Sequence, residues 1–266
     1  MFNIFEIIKL LFPYKMPKNK NNNIYVVKNG DKKKIKHKIK GLDVKYGKYA
    51  KNTELILHMP LSFNKTTIEF SGQSSKIEIK STIDTIKEAY FLCAAFGEIF
   101  IDENSAFATF NSRILVNNNC KENPSRIHIG KNFLIGQDVL IRTSDGHSIY
   151  NAGEEVPYNP PKDIYIGDNV WIGARVVVLK GAKIPNNTVV GACSVVNKKF
   201  NEENTMLVGN PAKIVKRNVF WKRSPYGETI RKMQREEEKR LLGFFLPKKI
   251  LLNRFKYKLK KFLKFI

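Results

Sequence analysis

The sequence predicts a mainly β chain wound into a solenoid, and three observations predict it. Ile166, Ile172, Val178, Ile184, Val190 and Val196 stand six apart without a break, and Ile129, Ile135 and Ile141 keep the same step. Glycine often follows directly, at Gly130, Gly136, Gly167, Gly173 and Gly191. Four places after each comes a further, mostly small or branched, side chain: Phe133, Val139, Val170, Val176, Ala182, Thr188 and Ser194. A period of six fits neither an amphipathic helix nor a plain alternating strand. It fits short strands that turn corners, so that every sixth side chain points to one axis.

Each element of the repeat has a physical role. One hexad cannot bury its own apolar residue, whereas stacked neighbours make the column a continuous core. Branched side chains stiffen extended backbone and stack on their counterparts one coil away. Glycine in the next place relieves a corner where a Cβ clashes or a positive φ is needed. Upstream the pattern is looser. Ala95, Ile101 and Phe107 keep the step, the count slips before Ile129, and TIEFSG and KIEIKS read as early coils. The organisation expected is a basic segment over 1–35, a solenoid over 36–212 with a protruding loop at 142–165, and a helical basic extension over 213–266.

Charge is segregated in the same way. The 266 residues carry 47 basic and 24 acidic side chains, a net charge of +23. Residues 1–51 hold net +11, residues 52–211 net −2 and residues 212–266 net +14. A nucleic-acid binder is disfavoured, because no recognised module is present and the charge sits at the ends. Cys93, Cys120 and Cys193 lack disulfide or zinc spacing, which points to a reducing cytoplasm and to no structural metal. The opening MFNIFEIIKLLFPYK is too short to span a bilayer and reads poorly as a signal peptide.

The ends carry their own signals. Asn29-Gly30 between IYVV and KKKIKHKIK reads as a hairpin turn. Ser224-Pro225 reads as a helix start ahead of ETIRKMQREEEKRLL. In residues 248–266, Leu251, Phe255, Leu259, Phe262 and Ile266 fall on one helical face and eight basic residues on the others. That pattern suits a helix lying in an anionic membrane surface; packing on the solenoid or on a neighbour is the alternative.

The hexads break after Ile141 and resume at Ile166, and the text between them contains His147. Binding groups are carried on loops held by rigid scaffolds. Asp145 precedes His147 by two residues, with Gly146 between them allowing a tight bend. With SDGHSI, and with Trp171 in NVWIGARVVVLKG 24 residues after the histidine, the chain resembles the hexapeptide-repeat O-acetyltransferases. It is most similar to those that modify bacterial capsular polysaccharides, including sialic acid capsules. The resemblance covers roughly residues 36–215 and implies a left-handed parallel β-helix, with the basic segments outside it.

The resemblance implies that His147 is the catalytic base and that Trp171 lies beside it. An ordinary imidazole titrates near 6.5 and suits proton removal from a sugar hydroxyl. Asp145, Glu154, Glu155 or a backbone carbonyl could orient the ring. No Cys or Ser with a base beside it is evident, which favours direct transfer over a covalent acyl-enzyme. The cosubstrate implied is acetyl-CoA, its arm lying in a groove between subunits of a homotrimer. Gly173, Ala174, Gly191 and Ala192 would let it approach the backbone. Lys198, Lys199, Lys213 and Arg217, with Arg175 and Lys180 as further candidates, would meet its phosphates or the acceptor. The expected acceptor is an acidic or neutral surface glycan, capsular or lipopolysaccharide, and the expected location is cytoplasmic or peripheral at the inner membrane face. N-acetylation of an amino sugar or nucleotide sugar is the alternative reading. A metal-dependent solenoid is disfavoured, since His37, His58, His128 and His147 lack three-ligand spacing.

Overall fold

The computed structural model describes residues 21–36, 38–107, 110–117, 120–223 and 231–237. The described residues between 21 and 221 form a three-sided prism of mainly parallel strands. The first face runs through Asn23–Lys28, Glu54–His58, Lys76–Ile79, Glu98–Ile101, Arg126–Ile129, Ile164–Ile166 and Lys183–Ile184. The second runs from Ala106–Phe107 through Leu134–Ile135, Trp171–Ile172 and Val189–Val190 to Thr205–Val208. The third runs from Leu42–Tyr46 through Thr66–Phe70, Tyr90–Cys93, Arg113–Val116, Leu140–Arg142 and Val177–Val178 to Val195–Val196. Parallel pairing reaches back to Asn23–Lys28, ahead of residue 36. The hairpin expected at Asn29-Gly30 is present, with Lys28 opposite Asp31.

The column read from the sequence is the core. Ile129, Ile135, Ile141, Ile166, Ile172, Val178, Ile184, Val190 and Val196 are all buried, and so are Phe133, Val139, Val170, Val176, Ala182, Thr188 and Ser194. Register explains why. Ile129 pairs with Ile166 and Ile166 with Ile184, so each side chain stacks on its counterpart in the next coil. Upstream, the inward residue on the third face is Cys93 and not Ala95, which lies at a half-buried corner. The wider early coils are filled by aromatic rings: Phe91 meets Phe107 edge-on at 5.9 Å, and Phe107 meets Phe133 at 6.3 Å.

The corners resolve the two roles left open for glycine. A Cβ at Gly167 would stand 2.8 Å from the Asn186 backbone nitrogen, and one at Gly173 would stand 2.8 Å from that of Ala192. Neither glycine has a positive φ. These residues are therefore small because the next coil lies against them. The left-handed backbone falls two places later, on Asn132, Asp138, Asn169, Arg175, Asn187 and Cys193, with φ between 54° and 59°. Asn and Asp suit that region, since their short polar side chains hydrogen-bond locally.

The solenoid closes with an antiparallel strand, Lys213–Arg217, laid on Thr205–Val208. A second unit begins at Lys222, in which residues 231–237 form a short exposed helix. The helix start at Ser224-Pro225 and the amphipathic stretch 248–266 lie outside the described residues. No described helix is long and apolar enough to cross a membrane.

Two substitutions test this packing. Ile184→Ala should cost about 2–5 kcal/mol in chemical denaturation, the range for emptying a buried aliphatic site. Gly167→Ala should cost about 1–3 kcal/mol, because its new methyl group meets backbone.

Candidate active site

The long loop leaves the prism after Leu140–Arg142 and rejoins it at Ile164–Ile166, at the corner between the third and first faces. Its two ends are tied together, since Lys162 N donates to Thr143 O at 3.0 Å. Thr143 and Ser144 are buried beneath it, and Ser125 Oγ lies 2.9 Å from Thr143 Oγ1. Across the loop, Asn159 acts as a brace. Its amide nitrogen donates to the His147 carbonyl at 2.9 Å and to Asp145 Oδ2 at 2.8 Å. Its amide oxygen accepts from Ile149 N at 2.7 Å. The backbone on both sides of residue 147 is thus fixed while the imidazole stands exposed.

Lys180 anchors this brace to the next coil. Its ammonium pairs with Asp145 and donates to Asn159 O at 3.0 Å. The bond from Lys180 holds the Asp145 carboxyl below the usual carboxylate range, burial opposes the shift, and the Asn159 amide adds to it. A lowered folded value fixes the sign of the pH dependence. The clamp is at full strength above the ordinary aspartate value of about 3.9 and is lost only as pH falls through the lowered one. Among the candidate orienting groups, Asp145 is engaged by Lys180 and Asn159, and Glu154 accepts from Asn151 Nδ2 at 2.9 Å. Among the described residues no group hydrogen-bonds the His147 ring.

Trp171 points outward from the second face and is 40% exposed, as its place in the hexad predicts. His147 leaves from the corner opposite that face, so one chain carries the two on different sides of its prism. Gly173, Ala174, Arg175, Gly191 and Ala192 share the corner between the second and third faces. Arg175 faces Asp138 at 4.0 Å. Lys198 is exposed at the third-to-first corner, one coil beyond Lys180, and the exposed Lys199 pairs with Lys183 of the first face. Lys213 and Arg217 bound the closing strand, where Arg217 Nε meets Glu202 Oε1 at 2.7 Å. The candidate cosubstrate residues therefore form separate groups on one chain.

Two contributors escaped the sequence. Asn159 lies in polar loop text with no signal beyond the proline after it. Trp221, the other tryptophan of the chain, returns to Trp171 with ring centroids 6.0 Å apart. Cys93 is excluded as an acyl carrier by position: it is buried in the prism, and burial pushes its thiol far up.

Comparison with known proteins adds to this geometry. Residues 163–198 match the bacterial transferase hexapeptide (six repeats). The polysialic acid O-acetyltransferase of Neisseria meningitidis is 34% identical over 163 residues, covering 59% of this chain and 74% of that protein. The chain belongs to the hexapeptide-repeat acetyltransferases. The polysialic acid O-acetyltransferase of Escherichia coli O1:K1 / APEC is 36% identical over 104 residues, 39% of this chain but 34% of that protein's length. The crystal structure of the polySia-specific acetyltransferase NeuO superposes with a TM-score of 0.56 at 22% identity, over 83% of this chain and 98% of that one. The fold of this family member is thus the left-handed parallel β-helix that the resemblance implies.

Replacing Lys180 by Met should free the loop. Cleavage by chymotrypsin at the exposed Tyr150 and Tyr158 should speed up roughly two- to fivefold, the scale of a partly exposed ion pair. In the unaltered protein, protection of these sites should persist at pH 5 and fade only below the ordinary carboxylate range.

Proposed function

We propose that this chain moves an acetyl group from acetyl-CoA to a sugar hydroxyl of a bacterial surface polysaccharide, capsular or lipopolysaccharide. The observation that carries the reading is the exposed His147 imidazole on a loop clamped by Asn159 and Lys180, in a family of acetyltransferases. His147 takes the hydroxyl proton as the sugar oxygen attacks the thioester carbonyl. The C–O bond forms, the C–S bond breaks, and the departing CoA sulfur receives the proton from the imidazolium. The Trp171 indole N–H would donate to the acceptor or to the developing oxyanion. The loop clamp lowers the cost of holding the base in an attacking geometry.

The cosubstrate arm would lie along Gly173, Ala174, Gly191 and Ala192, whose small side chains leave the backbone approachable. Lys198, Lys199, Lys213 and Arg217, with Arg175, supply positive charge for its phosphates. A trimer fits this division. The small-residue corner of one chain and the lysine corner of a neighbour would form the two walls of one groove, and His147 of one chain would meet Trp171 of another. The basic residues at both ends favour an acidic acceptor by steering. Residues 248–266 would hold the enzyme at the inner face of the cytoplasmic membrane.

Acetyl-CoA turnover against purified glycans, with an amine-bearing sugar included, tests the reaction and separates O- from N-transfer. His147→Ala should lower turnover by at least ~10²-fold, the scale for losing a general base, with the denaturation midpoint unchanged. Retained activity removes His147 from the mechanism. Deleting residues 248–266 should weaken binding to anionic liposomes and spare activity on a soluble acceptor; unaltered liposome binding refutes the surface role.

A further inference from the structure

Past the closing strand the chain turns back across the second face. Val219 N donates to Asn204 O at 2.9 Å, and Trp221 Nε1 donates to Asn169 O at 2.7 Å. Asn169 holds the left-handed corner two residues before Trp171, and its own amide donates to Asn187 Oδ1 at 2.9 Å. The polar edge of Trp221 is therefore fixed to the same corner that aims Trp171. The two indoles stand 6.0 Å apart at an interplanar angle of 47°. They do not stack flat; they meet at an angle, and Trp171 stays 40% exposed.

We propose that the two tilted rings frame a shallow aromatic trough that seats a pyranose ring of the acceptor, with Trp221 as its second wall. The inference rests on the acetyl-transfer reading and adds a specificity residue to it. The two rings divide the work. The Trp221 N–H is committed to Asn169, so that ring offers apolar surface alone. The Trp171 N–H has no acceptor among the described residues and remains available to a hydroxyl. A pyranose matches this pair, with a C–H face for the indole walls and hydroxyls at its rim. An aromatic ring also buries large area at little conformational cost, so a repeating glycan can be gripped one residue at a time.

The chain has two tryptophans, so Trp221→Phe and Trp221→Ala each leave Trp171 as the only indole emitter. Each variant is titrated with a polysialic acid oligomer, with maltohexaose and with CoA alone, following Trp171 emission; denaturation midpoints confirm folding. At least one glycan should shift the emission of Trp221→Phe, which keeps an aromatic wall. In Trp221→Ala the affinity for that glycan should fall roughly tenfold, with the CoA affinity changing less than about twofold. Steady-state KM for the glycan should rise in parallel, with a smaller change in kcat. Unchanged glycan affinity in Trp221→Ala overturns the proposal. So does the absence of any emission response to either glycan in Trp221→Phe, whether or not the enzyme turns over. A loss confined to CoA assigns the trough to adenine and also overturns it. An emission response to a glycan without acetyl transfer upholds the trough and sinks the reaction instead.

Discussion

The structure depends on one constraint: every coil must place its inward side chain directly over that of the coil before. Adjacent strands lie about 4.8 Å apart, and branched side chains at that spacing leave no room for drift in register. Ile166 over Ile129 and Ile184 over Ile166 show the result. The same closeness crowds out a Cβ at Gly167 and Gly173, and left-handed backbone follows two places on, at Asn169 and Arg175. Extra residues can enter only at a corner, because an insertion within a face would turn the inward column to solvent.

The loop bearing His147 is such an insertion. It emerges between Arg142 and Ile164, and its ends are joined through Thr143 and Lys162 so that the coils above and below remain stacked. The prism then anchors the loop in return, through Lys180. That lysine sits at the corresponding corner one coil on, where its charge reaches Asp145 without disturbing the core. A rigid repeat thereby supplies what an isolated loop lacks, a fixed frame for the exposed His147 imidazole.

Charge placement follows from the same economy of space. A stacked prism offers few outward positions per coil, and many are taken by pairs between neighbouring coils, such as Lys131 with Glu103 and Arg126 with Glu98. The solenoid is accordingly near neutral. The excess positive charge is carried by residues 1–51 and 212–266.

The sequence alone determined the coil, its inward column from Ile129 to Val196, the exit point of the loop and the outward place of Trp171. All of these are local and periodic, and hydrophobic spacing records them. The looser early coils were legible only in outline: Ala95 kept the six-residue step, while Cys93 took the inward place, because wider corners shift the count. The tertiary structure alone decided the partners of the loop. Asp145 meets Lys180 and Asn159, and Trp221 meets Trp171, across separations that carry no period. Such contacts depend on where a corner or a returning segment lands in space, and a one-dimensional pattern holds no record of that.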